Sequence, residues 1–170
     1  MNPTFSIIVP VYNEISCIDE LYNRMTQAMD STGEPWELIL VDDGSTDGST
    51  DSIKAYADKD DRVRPVIFAR NFGHQIAVTA GLDYSRGKAV VIIDADLQDP
   101  PEVILDLIKK WQEGYQVVYA VRSERAGESW FKTFTASLFY RLIFKITDVK
   151  IHICGLAGKI WGGEKLDDFI

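Results

Sequence analysis

Asp94-Ala95-Asp96-Leu97-Gln98 follows the apolar run Ala89-Val90-Val91-Ile92-Ile93, so a buried strand delivers two carboxylates, one residue apart, to its C-terminal end. Side chains alternate along an extended chain, and Asp94, Asp96 and Gln98 would share one side if that geometry persists. Three oxygen donors facing one point suit a hard divalent cation, Mg2+ or Mn2+, which in turn binds phosphate oxygens. A pair of surface acids in a strand-to-helix loop is the plain alternative. Two carboxylates this close repel unless a cation or a proton intervenes, which favours the metal.

Other polar clusters also follow apolar runs. In Pro10-Val11-Tyr12-Asn13-Glu14 an aromatic and an acid beside a turn could stack on a nucleobase and bind its ring or ribose, although Asn13 could simply cap the next helix. The second cluster is Asp42-Asp43-Gly44-Ser45-Thr46-Asp47-Gly48-Ser49. Read as a calcium loop from Asp43 it places Lys54 where the twelfth position requires an acid, so that reading fails. A helix cap would use one of Ser45, Thr46 or Asp47 and leave Asp42 and Asp43 at the strand end, where an acid can accept from a base N–H or a sugar hydroxyl. Arg70-Asn71-Phe72-Gly73-His74 could donate to phosphates or hydroxyls, with His74 equally readable as a structural histidine. Arg122 is a further phosphate partner, since guanidinium matches phosphate geometry.

The elements that position these clusters alternate. Residues 4–11, 37–41, 63–69, 89–93 and 116–121 read as strands, dense in Val and Ile and mostly bounded by turn residues. Ile18, Leu21, Tyr22, Met25 and Met29 recur at helical spacing, and weaker helical patterns cover 49–58 and 75–84, the latter interrupted by Gly81. A fourth helix has Asp99 as cap, Pro101 in its first turn, Glu102 in a capping-box position, a stripe of Ile104, Leu107, Ile108 and Trp111, and Gly114 as its stop. The alternation predicts an α/β fold, a mostly parallel sheet covered on both faces, whose ligands bind outside the strand C-termini.

With 170 residues and 46% hydrophobic content the chain has the size for one domain with a substantial core. A net charge of −8 argues against a general nucleic-acid binder. Cys17 and Cys154 lie outside any C-x-x-C spacing, and Cys17 reads as a small core residue on the first helix. No leader-like segment precedes the first strand, so no secretory signal is expected, and no run of 18 apolar residues predicts a spanning helix. Walker, G-x-G-x-x-G, H-E-x-x-H and G-x-S-x-G motifs are absent.

The stretches SIIVPVYNE, LILVDDGSTDGS, ARNFGHQIAVTAGLDYSRG, VVIIDADLQDPPEVI and VVYAVRSER, in that order, resemble the family 2 glycosyltransferases with a GT-A fold, in the branch of dolichyl-phosphate mannose synthase and bactoprenol glucosyltransferase. The resemblance runs from Ser6 to Arg125. It implies that Pro10, Tyr12, Glu14 and Asp42 hold the base and ribose of a nucleotide-sugar, with Asp43 sharing that role. It implies that Asp94, Asp96 and Gln98 hold Mg2+ or Mn2+ on the diphosphate and that Arg122 contacts phosphate, making Asp94, Asp96 and Arg122 the catalytic set. The reaction it implies is inverting transfer of a hexose to polyprenyl phosphate at the inner face of a membrane, in cell-wall or polysaccharide synthesis. The text Leu97-Gln98-Asp99-Pro100-Pro101-Glu102 looks more like the bacterial UDP-sugar branches, favouring UDP-glucose. The nucleotide-sugar domain would then occupy residues 1–128.

Residues 121–150 carry 6 Lys and Arg against 3 Asp and Glu, whereas 1–120 carry 10 against 20. Within the basic segment Trp130, Phe131, Phe134, Leu138, Phe139, Leu142, Ile143 and Ile146 recur at near-helical spacing, predicting an amphipathic membrane-interface helix over 129–148. An ordinary core helix is the alternative. Residues 149–170 diverge from the family, with no Gly-Asp-Phe-Arg-like acceptor segment, and no role is assigned to them. That departure is expected to impair transfer and favours a non-catalytic or vestigial nucleotide-sugar-binding fragment as the alternative; a soluble transferase acting on a saccharide is a separate one.

Overall fold

The computed structural model describes residues 2–120 throughout and the backbone of 151–154 and 158–162. Elements run β1 (Phe5–Val11), α1 (Ile15–Asp30), β2 (Trp36–Asp42), α2 (Ser49–Ala57), β3 (Val63–Ile67), α3 (His74–Tyr84), β4 (Ala89–Ile92), α4 (Val103–Gln112), β5 (Val117–Ala120), β6 (Ile151–Cys154) and β7 (Gly158–Gly162). They form one sheet of order β3-β2-β1-β4-β7-β5-β6. Strand β7 is antiparallel to both β4 and β5, and the other pairings are parallel. Two stretches of the divergent 149–170 segment thus join the sheet. The amphipathic helix expected over 129–148 and Arg122 lie outside the described residues.

Every residue of β1 and β2 is buried, which is why both read as unbroken apolar runs rather than as alternating ones. Alternate residues serve opposite faces. Phe5, Ile7 and Val9 meet Leu38 and Leu40, the stripe of α1, Ile53 of α2 and Ile104, Leu107 and Ile108 of α4 in the main core. Ile18, Leu21, Met25 and Met29 of α1 are essentially fully buried, each contributing about 1.5–3 kcal/mol of apolar burial. On the opposite face Ile8, Ile39, Val41 and Val90 pack against Ala77 of α3. Gly81, a weakness in the helical pattern, is where α3 lies on Ile8, and a side chain there would overlap it.

Two local expectations are corrected. Helix α4 begins at Val103 with Glu102 at its N-cap, and Glu102 makes no capping bond. Arg24 of α1 takes its carboxylate, donating from Nε at 2.9 Å and Nη2 at 2.6 Å, so a partner 78 residues away outcompetes the local box. Cys17 is half-buried, beside the Ser16 hydroxyl rather than in the core. Gly114, at φ 95°, ends α4 as its position predicts.

Candidate functional site

Parallel pairing gathers the ends of β1, β2, β3 and β4 at one edge, and a cleft of about 360 Å3 opens there. Pro10 and Val11 line it from the end of β1, Tyr12 and Glu14 from the turn into α1, and Asp43 from just past β2. Asn71 and Gly73 line it from the loop into α3, His74 and Ala77 from the start of α3, and Asp94, Ala95 and Asp96 from the loop after β4. Three sequence clusters and the Arg70–His74 stretch thus share one cavity. No lysine or arginine among the described residues lines it.

The β2 loop is built to hold its neighbours. Asp42 is fully buried; it accepts from the Ser45 N–H at 2.9 Å and from the Thr50 hydroxyl, so it fastens its own loop instead of facing the cleft. Asp43, 3% exposed, accepts from the N–H groups of Phe72 at 2.7 Å and Gly73 at 2.9 Å, clamping the loop before α3. Gly44, at φ 73°, lets that loop come close: a Cβ there would sit 2.6 Å from the Asn71 nitrogen and 2.7 Å from Arg70 Cα. Arg70 itself stacks over the Phe72 ring at 4.2 Å and is not part of the cleft lining.

The same loop caps two helices. Ser45 Oγ accepts from the Asn13 N–H and Ser49 Oγ from the Glu14 N–H in the turn that enters α1, and Asp47 Oδ2 accepts from Ile15, the first N–H of the helix. Asp47 Oδ1 accepts from the Ser49 N–H and hydroxyl at the start of α2. Desolvation pushes the Asp47 carboxyl up, but the bonds from Ser49 and from the Ile15 N–H outweigh it and hold the group below the usual carboxylate range. Asn13, left-handed at φ 57°, accepts from the Thr46 N–H at 2.8 Å and completes the lattice. Tyr12, 48% exposed, and Glu14 emerge from this turn into the cleft.

After β4 the chain does not stay extended. The strand ends at Ile92, Leu97 adopts φ 56°, and the Gln98 N–H returns to Asp96 Oδ1 at 3.0 Å. A left-handed leucine costs about 1–2 kcal/mol. Its side chain offsets this by packing against the main core, while the neighbouring Ala95 is 3% exposed. Asp94 and Asp96 are exposed and line the cleft together; Gln98 is exposed but outside the lining, because the turn at Leu97 breaks the alternation that would have carried it there. His74 Nε2 stands 3.9 Å from Asp94 Oδ1. Ala95 and Ala77, apolar walls of the cleft, carry no chemical signal that sequence reading could detect.

No group of three or more His, Cys, Asp or Glu side chains among the described residues could hold a metal ion by itself. Two exposed carboxylates whose one described basic neighbour is His74, 3.9 Å from Asp94, nevertheless fit an Mg2+-like ion, which commonly takes one or two carboxylates and completes its shell with water and substrate phosphates.

A mostly parallel sheet flanked by helices, with its open cleft at the carboxyl edge, is the architecture of a GT-A domain. Residues 6–160 match the Glycosyl transferase family 2 profile, and the chain belongs to that family. The match extends past Arg125, where the sequence resemblance ends, into β7. The chain is 56% identical over 149 residues to the "Uncharacterized glycosyltransferase YkcC" of Bacillus subtilis, covering 88% of this chain and 46% of that protein. It is 42% identical over 147 residues to the "Prophage bactoprenol glucosyl transferase homolog" of Escherichia coli, covering 86% and 48%. It spans about half the length of these curated relatives. Among solved structures it resembles a mannosyltransferase of Pyrobaculum calidifontis in complex with GDP-Man and Mn2+, at a TM-score of 0.56 and 26% identity, covering 72% of this chain and 36% of that one.

Proposed function

We propose that residues 1–128 form the nucleotide-sugar-binding part of a metal-dependent, inverting glycosyltransferase that moves a hexose, glucose from UDP-glucose, to polyprenyl phosphate at the inner face of a membrane. One observation carries this reading: Asp94 and Asp96 project into the same cleft as Tyr12 and Glu14, and no described lysine or arginine lines it. Tyr12 would stack on the base, with Pro10 beside it and Glu14 and Asp43 offering acceptors to base N–H or ribose hydroxyls. Asp42 would act one step back, keeping the loop that carries Asp43 in place. Asp94 and Asp96 would hold Mg2+ or Mn2+ on the diphosphate, with Gln98 left outside the ligand set by the turn at Leu97, and Arg122 would contact phosphate. The bound cation would supply Lewis-acid stabilisation of the departing nucleoside diphosphate.

An acceptor phosphate is already anionic, so the chain needs to position it against the sugar more than to deprotonate it. Support for glucose and for a polyprenyl acceptor comes from the name of the Escherichia coli relative and from the sequence of residues 97–102. The Pyrobaculum neighbour supports a nucleotide-sugar and Mn2+ in this fold with a different base. The basic, apolar 129–148 segment would meet the headgroup region as a peripheral element.

Calorimetry with UDP, with and without Mn2+, followed by transfer assays to polyprenyl phosphate from UDP-glucose and GDP-mannose, tests the proposal. The expected result is UDP binding strengthened at least tenfold by Mn2+, with transfer from UDP-glucose. Mn2+-independent UDP binding would overturn the metal assignment, and preference for GDP-mannose would overturn the donor.

A further inference from the structure

The two exposed acids of the β4 loop are separated and followed by two residues that turn the other way. Ala95 is buried and Leu97 packs on the main core, between and behind the exposed Asp94 and Asp96. Leu97 does this in a left-handed backbone conformation, φ 56°, that a leucine rarely adopts. That conformation reverses the chain so that the Gln98 N–H reaches Asp96 Oδ1 at 3.0 Å. One oxygen of Asp96 is thereby fixed by the turn, and the direction of the other follows from it.

We propose that Leu97 is a positioning residue for metal binding: its core-anchored, left-handed turn holds the Asp96 carboxylate in the orientation that engages the cation on the donor diphosphate. The inference rests on the donor-site reading above. Packing holds a backbone conformation that the residue would otherwise leave, and this is how a site is preorganised before its ligand arrives. The anchor and the turn are separable by substitution. Leu97→Met keeps an apolar side chain of similar volume, unbranched at Cβ, for the core. Leu97→Val puts a β-branched residue where φ is positive, which opposes the turn. Leu97→Gly accepts the turn freely but removes the anchor.

The experiment measures UDP binding to each variant at rising Mn2+ concentrations, with UDP binding in chelator and the thermal midpoint recorded alongside. Leu97→Val and Leu97→Gly should each need about tenfold more Mn2+ for half-maximal enhancement, with chelator-condition UDP affinity unchanged. Leu97→Met should follow wild type. Wild-type Mn2+ dependence in the folded Val or Gly variant overturns the proposal, as does an equal loss of UDP affinity with and without Mn2+. If either variant fails to fold, the other decides. Wild-type protein whose UDP binding ignores Mn2+ would instead remove the donor-site reading itself, and this inference with it.

Discussion

The two edges of the sheet treat their carboxylates in opposite ways. At the amino-terminal edge Glu37, with only 3% of its side chain exposed, is ringed by donors: Ser6 Oγ at 2.6 Å, the Arg86 N–H and guanidinium, and Arg64 Nη1. Burial pushes its carboxyl up, but these bonds outweigh it and hold the group below the usual range. At the cleft edge Asp94 has 60% of its side chain exposed and faces only His74, at 3.9 Å, among the described residues. An acid that serves the fold is neutralised by the chain itself. An acid that serves a ligand is left with coordination capacity to spare.

Breaking the comparison at the cleft should produce the largest effect. Asp96→Asn is expected to lower Mn2+-supported UDP binding about a hundredfold, or about 2.7 kcal/mol, in calorimetry. Its thermal midpoint should stay level or rise, because a like-charge repulsion is removed. A matching fall in stability would mean the pair is structural after all.

Glu37→Gln should do the reverse, costing about 2–3 kcal/mol of stability while leaving UDP affinity alone. For a chain of this size that is a fall of about 5–10 °C in Tm. Since folding lowers the Glu37 carboxyl from its ordinary 4.5, its contribution is fully present above that value and is lost as pH falls through the lower folded one. The gap in urea midpoint between wild type and Glu37→Gln should therefore narrow below about pH 4. A gap constant from pH 7 to pH 3 would show that charge is not what Glu37 contributes.

The smallest effect sharpens the rule for exposed pairs. Arg24 and Glu102 make a two-point bridge between α1 and α4, yet 31% and 50% of their side chains are exposed. Arg24→Ala should lower the stability measured by urea unfolding by no more than about 0.5–1 kcal/mol. A loss comparable to that of Glu37→Gln would show that burial is not what separates the two.

The strands were legible because buried parallel strands are short, dense apolar runs, and β1, β2 and β4 each fall within one residue of their predicted limits. The position of the cleft was legible for a related reason: chemistry that follows such runs must collect at one edge. What local sequence could not carry was partner choice. Glu102 sits in a capping box and bonds Arg24 instead. Asp42 and Asp43 are adjacent acids after one strand, yet one fastens its own loop while the other clamps Phe72 and Gly73. Leu97 gave no sign of a left-handed turn, since nothing in a leucine's chemistry asks for one; the core beneath it imposes the turn.

The capping of α1 has a consequence for how the molecule comes into being. The N–H groups of Asn13, Glu14 and Ile15 at its entry are met by Ser45, Ser49 and Asp47, more than thirty residues later in the chain. During synthesis the β1–α1 segment therefore leaves the ribosome before the groups that complete its first turn exist. The earliest unit able to close on itself reaches to α2, so a nascent chain halted before Ser45 would keep a frayed first helix with its apolar stripe open to chaperones.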